Sequence, residues 1–464
     1  MPGNRRAVRS TPARTQARTR TRTHTRTSAA LAAAAAVCLL AGACTGSGGG
    51  TAEDDPNAET TLTFWHGWSA PSEVEAIDAN IDAFEKKHPN ITVKVVKNVS
   101  DDKLNQALRA GGDKAPDVVS SFATDNVGRF CSARALADLK PFLAKSGIDP
   151  AKTFPKPMLE YTQYEGVRCT LPLLGDAYGL YYNKDAFEKA GITEPPRTFS
   201  EFDKAAEKLT RHKGDSYSQL GFMPNYHGYE TTVEHYGAQF GVDWFGEDGK
   251  AANASDPGMK KLFQWQRGLV EKLGGFSKLE RYRSSFGDEW GAKHPFHTGQ
   301  VAMQLDGEWR GKMARDAGVD FEIGTAPLPV PDGETESYGK GYLSGTVIGI
   351  AQSSPKQNAA WELVRFLTTD TGAVVDFANA IHNVPSTLAA MKSPRLNKDP
   401  DYRTFVKIAR HPESRHAPGS VNGAAFLLTL QDLGYDYESG REKNLDAGLE
   451  KADRQIDKDI AQAE

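Results

Sequence analysis

The sequence predicts an α/β protein of two domains. Short β-branched runs alternate with amphipathic stretches at helical spacing along the chain, the pattern of strands and helices sharing one core. About 420 residues follow the basic, apolar N-terminal segment, more than a single hydrophobic core organises. No apolar run beyond that segment approaches the roughly 20 residues needed to span a bilayer, and no internal repeat of fixed period is present.

The elements follow in order. Residues 60–65, Thr-Thr-Leu-Thr-Phe-Trp, read as a strand that opens into His66-Gly67-Trp68. Val74, Ile77, Ile81 and Phe84 then recur at helical spacing until His88-Pro89-Asn90 stops them. Residues 91–96 are a second strand, and Ser100 caps a helix bearing Leu104, Ala107 and Leu108 that ends at Gly111-Gly112. Pro116-Asp117-Val118-Val119 signals a buried strand, and the alternation predicts a largely parallel sheet. Farther on, Asn183 caps a helix that Gly191 stops. Thr198 and Glu201 have capping-box spacing ahead of Phe202, Ala205, Ala206 and Leu209. Residues 301–305 and 347–350 read as strands. Ser354-Pro355 opens a helix with Ala359, Leu363, Val364, Phe366 and Leu367 inward. A charged helix from Asp446 is expected on the surface.

The N-terminus carries a different message. Residues 1–43 hold eight arginines and no acid, with an apolar run from Ala29 to Ala41. A basic start, a short apolar stretch and small residues at its exit read as a secretory leader, 1–43. Residues 44–59 read as a flexible tether rich in Gly, Ser and Thr. From Cys44 onward, 48 basic side chains face 60 acidic ones, a formal net charge of −12. That balance argues against nucleic-acid binding and against holding an anionic membrane through the protein surface. Of the four cysteines, Cys131 and Cys169 remain in the body of the exported chain. They are an even pair in an oxidising compartment, and a disulfide between them is expected.

The run Gly175-Asp176-Ala177-Tyr178-Gly179-Leu180-Tyr181-Tyr182-Asn183-Lys184-Asp185, continuing to Thr198-Phe199, resembles the signature of family 1 extracellular solute-binding proteins. Collinear matches are Phe64-Trp65-His66-Gly67, Ala115-Pro116-Asp117-Val118, Gly299-Gln300-Val301-Ala302-Met303, Gly307-Glu308-Trp309 and Ala326-Pro327-Leu328-Pro329. The likeness runs from about Thr60 to the C-terminus. Members are the sugar-capturing components of ABC importers, similar in fold to maltose-binding protein. The resemblance implies a two-domain periplasmic-binding-protein-like fold with a ligand cleft between domains and several hinge crossings. It places domain I at 60–174 and 325–380, and domain II at 175–324 and 381–464. The stretch before Cys44 resembles a lipobox, although Ala41 stands where that pattern prefers Leu. Cys44 is accordingly expected to carry a lipid that anchors the protein at the outer face of the cell membrane.

A pyranose offers apolar C–H faces and a rim of hydroxyls, so its partners are flat aromatic rings and carboxylates or amides. On the resemblance, the ligand-binding residues are Trp65, Trp68, Asp125, Asn126, Asp176, Tyr226, Trp290, Trp309, Tyr342 and Gly345. Trp309 ranks first among the aromatics and Asp176 among the acids. Core packing is the competing role for Trp65, helix capping for Asp125, and a structural hinge acid for Asp176. Gly345 is expected to let backbone approach the ligand. Phe222, Phe240 and Trp265 are assigned to the core. The implied partners are a di- or oligomeric carbohydrate and importer permease subunits, with the protein a monomer.

Two rival functions stand beside this one. Paired acids near aromatics could serve a secreted glycoside hydrolase, but no motif singles out two of them. A peptide, polyol or phosphate-ester binder is the closer rival, and Asp125 and Asp176 disfavour an anionic ligand. His294 with His297, and His411 with His416, lack the spacing of a metal motif. No metal, cofactor or catalytic residue is expected.

Overall fold

The computed structural model describes residues 55, 57–224 and 232–463. The expected leader 1–43, most of the expected tether including Cys44, and Tyr226 beside Asn225 lie outside the described residues. Strand β1 (Thr60–Trp65) pairs in parallel with β2 (Ile91–Val96) along its length and with β3 (Val118–Ser121) on its other side. The helix between β1 and β2, Pro71–Lys87, buries Ile77, Ile81 and Phe84, the stripe that its spacing predicts.

Beyond β3 the sheet stops being parallel. The 13-residue strand β4 (Leu171–Asn183) is buried along most of its length. Its first half pairs antiparallel with β9 (Leu343–Ile350), which also runs antiparallel to β3. The short β10 (Val384–Pro385) lies antiparallel on the other edge of β4. The second half of β4 pairs with β7 (Met303–Gly307) and β8 (Ile323–Ala326), both antiparallel. A hairpin of β5 (Arg211–Lys213) and β6 (Ser216–Gln219) stands apart. The expected largely parallel sheet is therefore corrected to three parallel strands joined to antiparallel ones. Local strand–helix alternation reports on adjacent units. It carries no signal for strands such as β9 that enter from far along the chain.

β4 thus carries two successive sets of antiparallel partners on one strand. Asp176 and Tyr178 lie on the same face of β4, near the change of pairing partners, as the two-residue period of a strand dictates.

Capping chemistry set most helix starts. Ser100 Oγ accepts from Lys103 N, Asn183 Oδ1 from Ala186 N, and Thr198 with Glu201 completes its capping box. Gly191 has a φ of 62° and ends its helix as expected. Ser354-Pro355 does not open a helix; that helix begins at Gln357. Ser354 Oγ instead donates to Asp117 Oδ1 at 2.7 Å and accepts from Lys356 N at 3.1 Å. The C-terminal helix, Leu445–Ala461, is charged outside but buries Leu449, Ala452 and Ile456. Its Asp453 carboxylate accepts the main-chain nitrogens of Asn253 and Ala254, so this helix braces the fold.

Cys131 and Cys169 are joined by a disulfide, with Cα atoms 5.5 Å apart. It ties the Asn126–Ser132 helix to the segment leading into β4.

Candidate functional site

Where β7 ends beside β4, three polar side chains converge. Asn383 Nδ2 donates to Asp176 Oδ1 at 2.6 Å and to Glu308 Oε1 at 3.0 Å. Glu308 also accepts the main-chain nitrogens of Ala177 at 2.9 Å and Val384 at 3.2 Å. Glu308 is buried, whereas Asp176 and Asn383 are half-buried. Burial pushes the Asp176 carboxyl up to about 7. It pushes Glu308 well above the usual carboxylate range, and the Asp176 charge adds to that. Two carboxyls so placed hold a proton between them near neutrality.

Aromatic rings continue from this network. Trp309, immediately after Glu308, is half-buried and meets Tyr178 edge-on at 5.7 Å. Its other neighbour is Trp290, 6.2 Å away and 57% exposed. Gly307 is required here: a Cβ would lie 2.3 Å from the Trp309 ring. Tyr178 in turn packs at a tilt against His235 at 4.0 Å and Tyr342 at 5.5 Å. The result is a row of rings beginning at an exposed indole and ending in the interior.

A second group of polar side chains begins just after β3. Asp125 occupies the N-cap position of its helix, yet its side chain makes no capping hydrogen bond. Burial raises its pKa. Asn126 is buried and donates to Ser121 Oγ at 3.3 Å. Asp125 is close enough to Glu234, on the Val233–Phe240 helix, to raise that carboxyl electrostatically. Burial is the larger cause and takes Glu234 up to about 7. Gln431 Nε2 donates to Glu234 Oε2 at 3.4 Å. Because His235 follows Glu234 and contacts Tyr178, the helix Val233–Phe240 links the Asp125 group to the aromatic row.

The residues expected to hold ligand divide into groups. Asp176, Trp309 and Trp290 come together where β7 ends beside β4, and Asp125 with Asn126 stands at the start of the helix that follows β3. Trp65, at the end of β1, is half-buried with the Lys103 ammonium 5.5 Å from its ring centre. Trp68 is corrected from cleft to core. It is 3% exposed, packed edge-on between Phe122 at 5.3 Å and Phe377 at 5.1 Å, which leaves no ring face for a solute. Tyr342 is buried behind Tyr178. Gly345 serves another close approach than the one expected. A Cβ there would lie 2.3 Å from Leu174 O and 2.7 Å from the Tyr161 hydroxyl, so protein rather than ligand occupies the space. Among the described residues, no group of three or more metal-ligating side chains forms a metal site.

Glu308, Asn383, Glu234 and Tyr178 were not singled out as ligands from the sequence. Glu308 and Tyr178 sit inside the motifs that carried the resemblance, but Asn383 reaches Asp176 from 207 residues away and had no local signal.

The sequence profile of the bacterial extracellular solute-binding proteins matches residues 70–374. This chain belongs to that family. Among its relatives, the maltotriose-binding protein of Pyrococcus abyssi is 22% identical over 373 residues, covering 78% of this chain and 76% of the relative. The sn-glycerol-3-phosphate-binding periplasmic protein of Brucella suis is 26% identical over 383 residues, covering 79% and 85%. The sugar-binding protein MalE of Xanthomonas citri superposes with a TM-score of 0.73 at 22% identity, covering 87% of this solute-binding protein and 98% of MalE. The fold is thus the two-domain α/β fold of that protein. The family consists of substrate-binding proteins.

Proposed function

We propose that this protein captures a di- or oligosaccharide outside the cell and delivers it to an ABC-type importer. One observation carries the reading: the half-buried Trp309 ring adjoins the Asp176–Asn383–Glu308 network, an apolar platform beside a set of hydroxyl partners. A sugar needs both within one ring's breadth. Names among the relatives, maltotriose and glycerol phosphate, support two solute classes. Four carboxyl groups, those of Asp125, Asp176, Glu234 and Glu308, favour the neutral, hydroxyl-rich one.

Ligand capture proceeds by closure of two domains about their crossing segments, driven by tighter binding to the closed form. The segment limits follow the resemblance, with two adjustments. Val330 bridges Thr198, and Gln239 donates to Lys340 O, which favours keeping residues up to about 340 with domain II. Pro385 pairs with Leu174, which favours keeping β10 with domain I. The protein is proposed to be exported and held at the outer membrane face by a lipid on Cys44, to act as a monomer and to meet permease subunits.

A thermal-shift and calorimetric screen of the leaderless chain against glucose, maltose, maltotriose, mannobiose and glycerol 3-phosphate tests this. A saccharide should raise the unfolding midpoint by mass action. A shift with glycerol 3-phosphate alone overturns the sugar assignment, and sugar turnover in the same samples overturns the binding role.

A further inference from the structure

We propose that Arg310 is a positioning residue that holds Trp290 beside Trp309, so that the cleft presents two aromatic platforms before any sugar arrives. The inference rests on the sugar-cleft reading. Arg310 is completely buried, as is its partner Asp306, and Nε donates to Asp306 Oδ2 at 2.6 Å. Nη1 donates to the main-chain oxygen of Glu289 at 3.0 Å, one residue before Trp290. The guanidinium carbon lies 5.7 Å from the Trp290 ring centre. One side chain therefore joins β7 and the helix that begins at Trp309 to the loop that carries Trp290.

Stability is a poor reason for such a pair. Burying a guanidinium and a carboxylate carries a desolvation cost that well-packed apolar residues avoid. The buried rings nearby do not share the charge. Burial first, then Arg310, pushes His294 down to about 2 and His297 down to about 4, so both are neutral. What the buried guanidinium supplies is direction. Its planar fork fixes several partners at once, which a lysine ammonium on a flexible stem does not. Trp290 is 57% exposed and packs too little to hold itself. The Asp288 side chain accepts the Trp290 nitrogen at 2.9 Å, which shapes the loop without attaching it to β7. Arg310 makes that attachment. Two indoles 6.2 Å apart suit neighbouring rings of one oligosaccharide, and fixing them in advance spares the entropy of ordering the loop upon binding.

The test combines hydrogen exchange with binding on the full chain. Without sugar, amides of residues 287–292 should exchange slowly in the native protein. They should exchange at least about 10-fold faster in Arg310→Lys, with β7 amides unchanged. Free exchange of the loop in the native protein overturns the proposal, and does so even if the variant does not fold. For a saccharide that shifts the midpoint, Arg310→Lys and Trp290→Ala should each weaken affinity by about 10-fold, and the double variant no further. Multiplying losses, or native affinity in Arg310→Lys alongside a weakened Trp290→Ala, overturn the positioning role. Native affinity in both Trp290→Ala and Trp309→Ala overturns the cleft reading itself.

Discussion

Asp176 and Glu308 share one donor, the Asn383 amide nitrogen, which lies 2.6 Å from one carboxyl and 3.0 Å from the other. The first prediction follows from the burial of this network, which outweighs the Asn383 hydrogen bond. Burial raises the Asp176 pKa from 3.8 to about 7, so the folded state binds more protons than the unfolded state between those values. Stability contributed by this group is therefore present at low pH and lost as pH rises from about 4 to about 7. Asp176→Asn should flatten that part of the curve, read as the difference between native and variant midpoints across pH. Parallel curves for the two proteins would remove Asp176 as the source.

Sugar hydroxyls donating to the Asp176 carboxyl would favour its charged form and release the shared proton. Calorimetry near pH 6 in buffers of different ionisation enthalpy should show net proton release on saccharide binding. Uptake, or no buffer dependence, would place the sugar elsewhere.

Trp309 and Trp68 should separate function from packing. Trp309→Ala is expected to weaken saccharide binding on the order of 30-fold, as truncation of a binding hot spot does, with a modest change in midpoint. Trp68→Ala, which empties the space between Phe122 and Phe377, should cost about 3–5 kcal/mol of stability. Denaturant titrations and binding isotherms on the two variants decide the assignment.

Gly345→Ala should destabilise by about 1–3 kcal/mol, the scale of forced overpacking. The new methyl would lie 2.3 Å from Leu174 O in a backbone that β4 and β9 hold by strand pairing. A native midpoint in this variant would show that the strands part more easily than their pairing indicates.

Reduction of Cys131–Cys169 should lower stability by roughly 4 kcal/mol, the chain-entropy value for a loop of this length. Mass spectrometry with and without reductant establishes the bond, and the midpoint shift measures its contribution.

Local chemistry made much of this protein legible. Ser100, Asn183 and Thr198–Glu201 capped helices where their side chains predicted, because a cap needs only residues within one turn. Stripes such as Ile77–Ile81–Phe84 gave helix faces for the same reason. The sequence alone also established a basic N-terminal segment with an apolar run, an acidic remainder and a family signature. Tertiary structure decided what depends on remote partners. β9 enters antiparallel from another part of the chain, Asn383 arrives beside Asp176, Arg310 reaches the Glu289 carbonyl, and Trp68 turns inward while Trp309 stays half-buried. None of these has a local signature: an indole or a carboxyl has the same chemistry in core and cleft, and only the neighbours brought by the fold distinguish them.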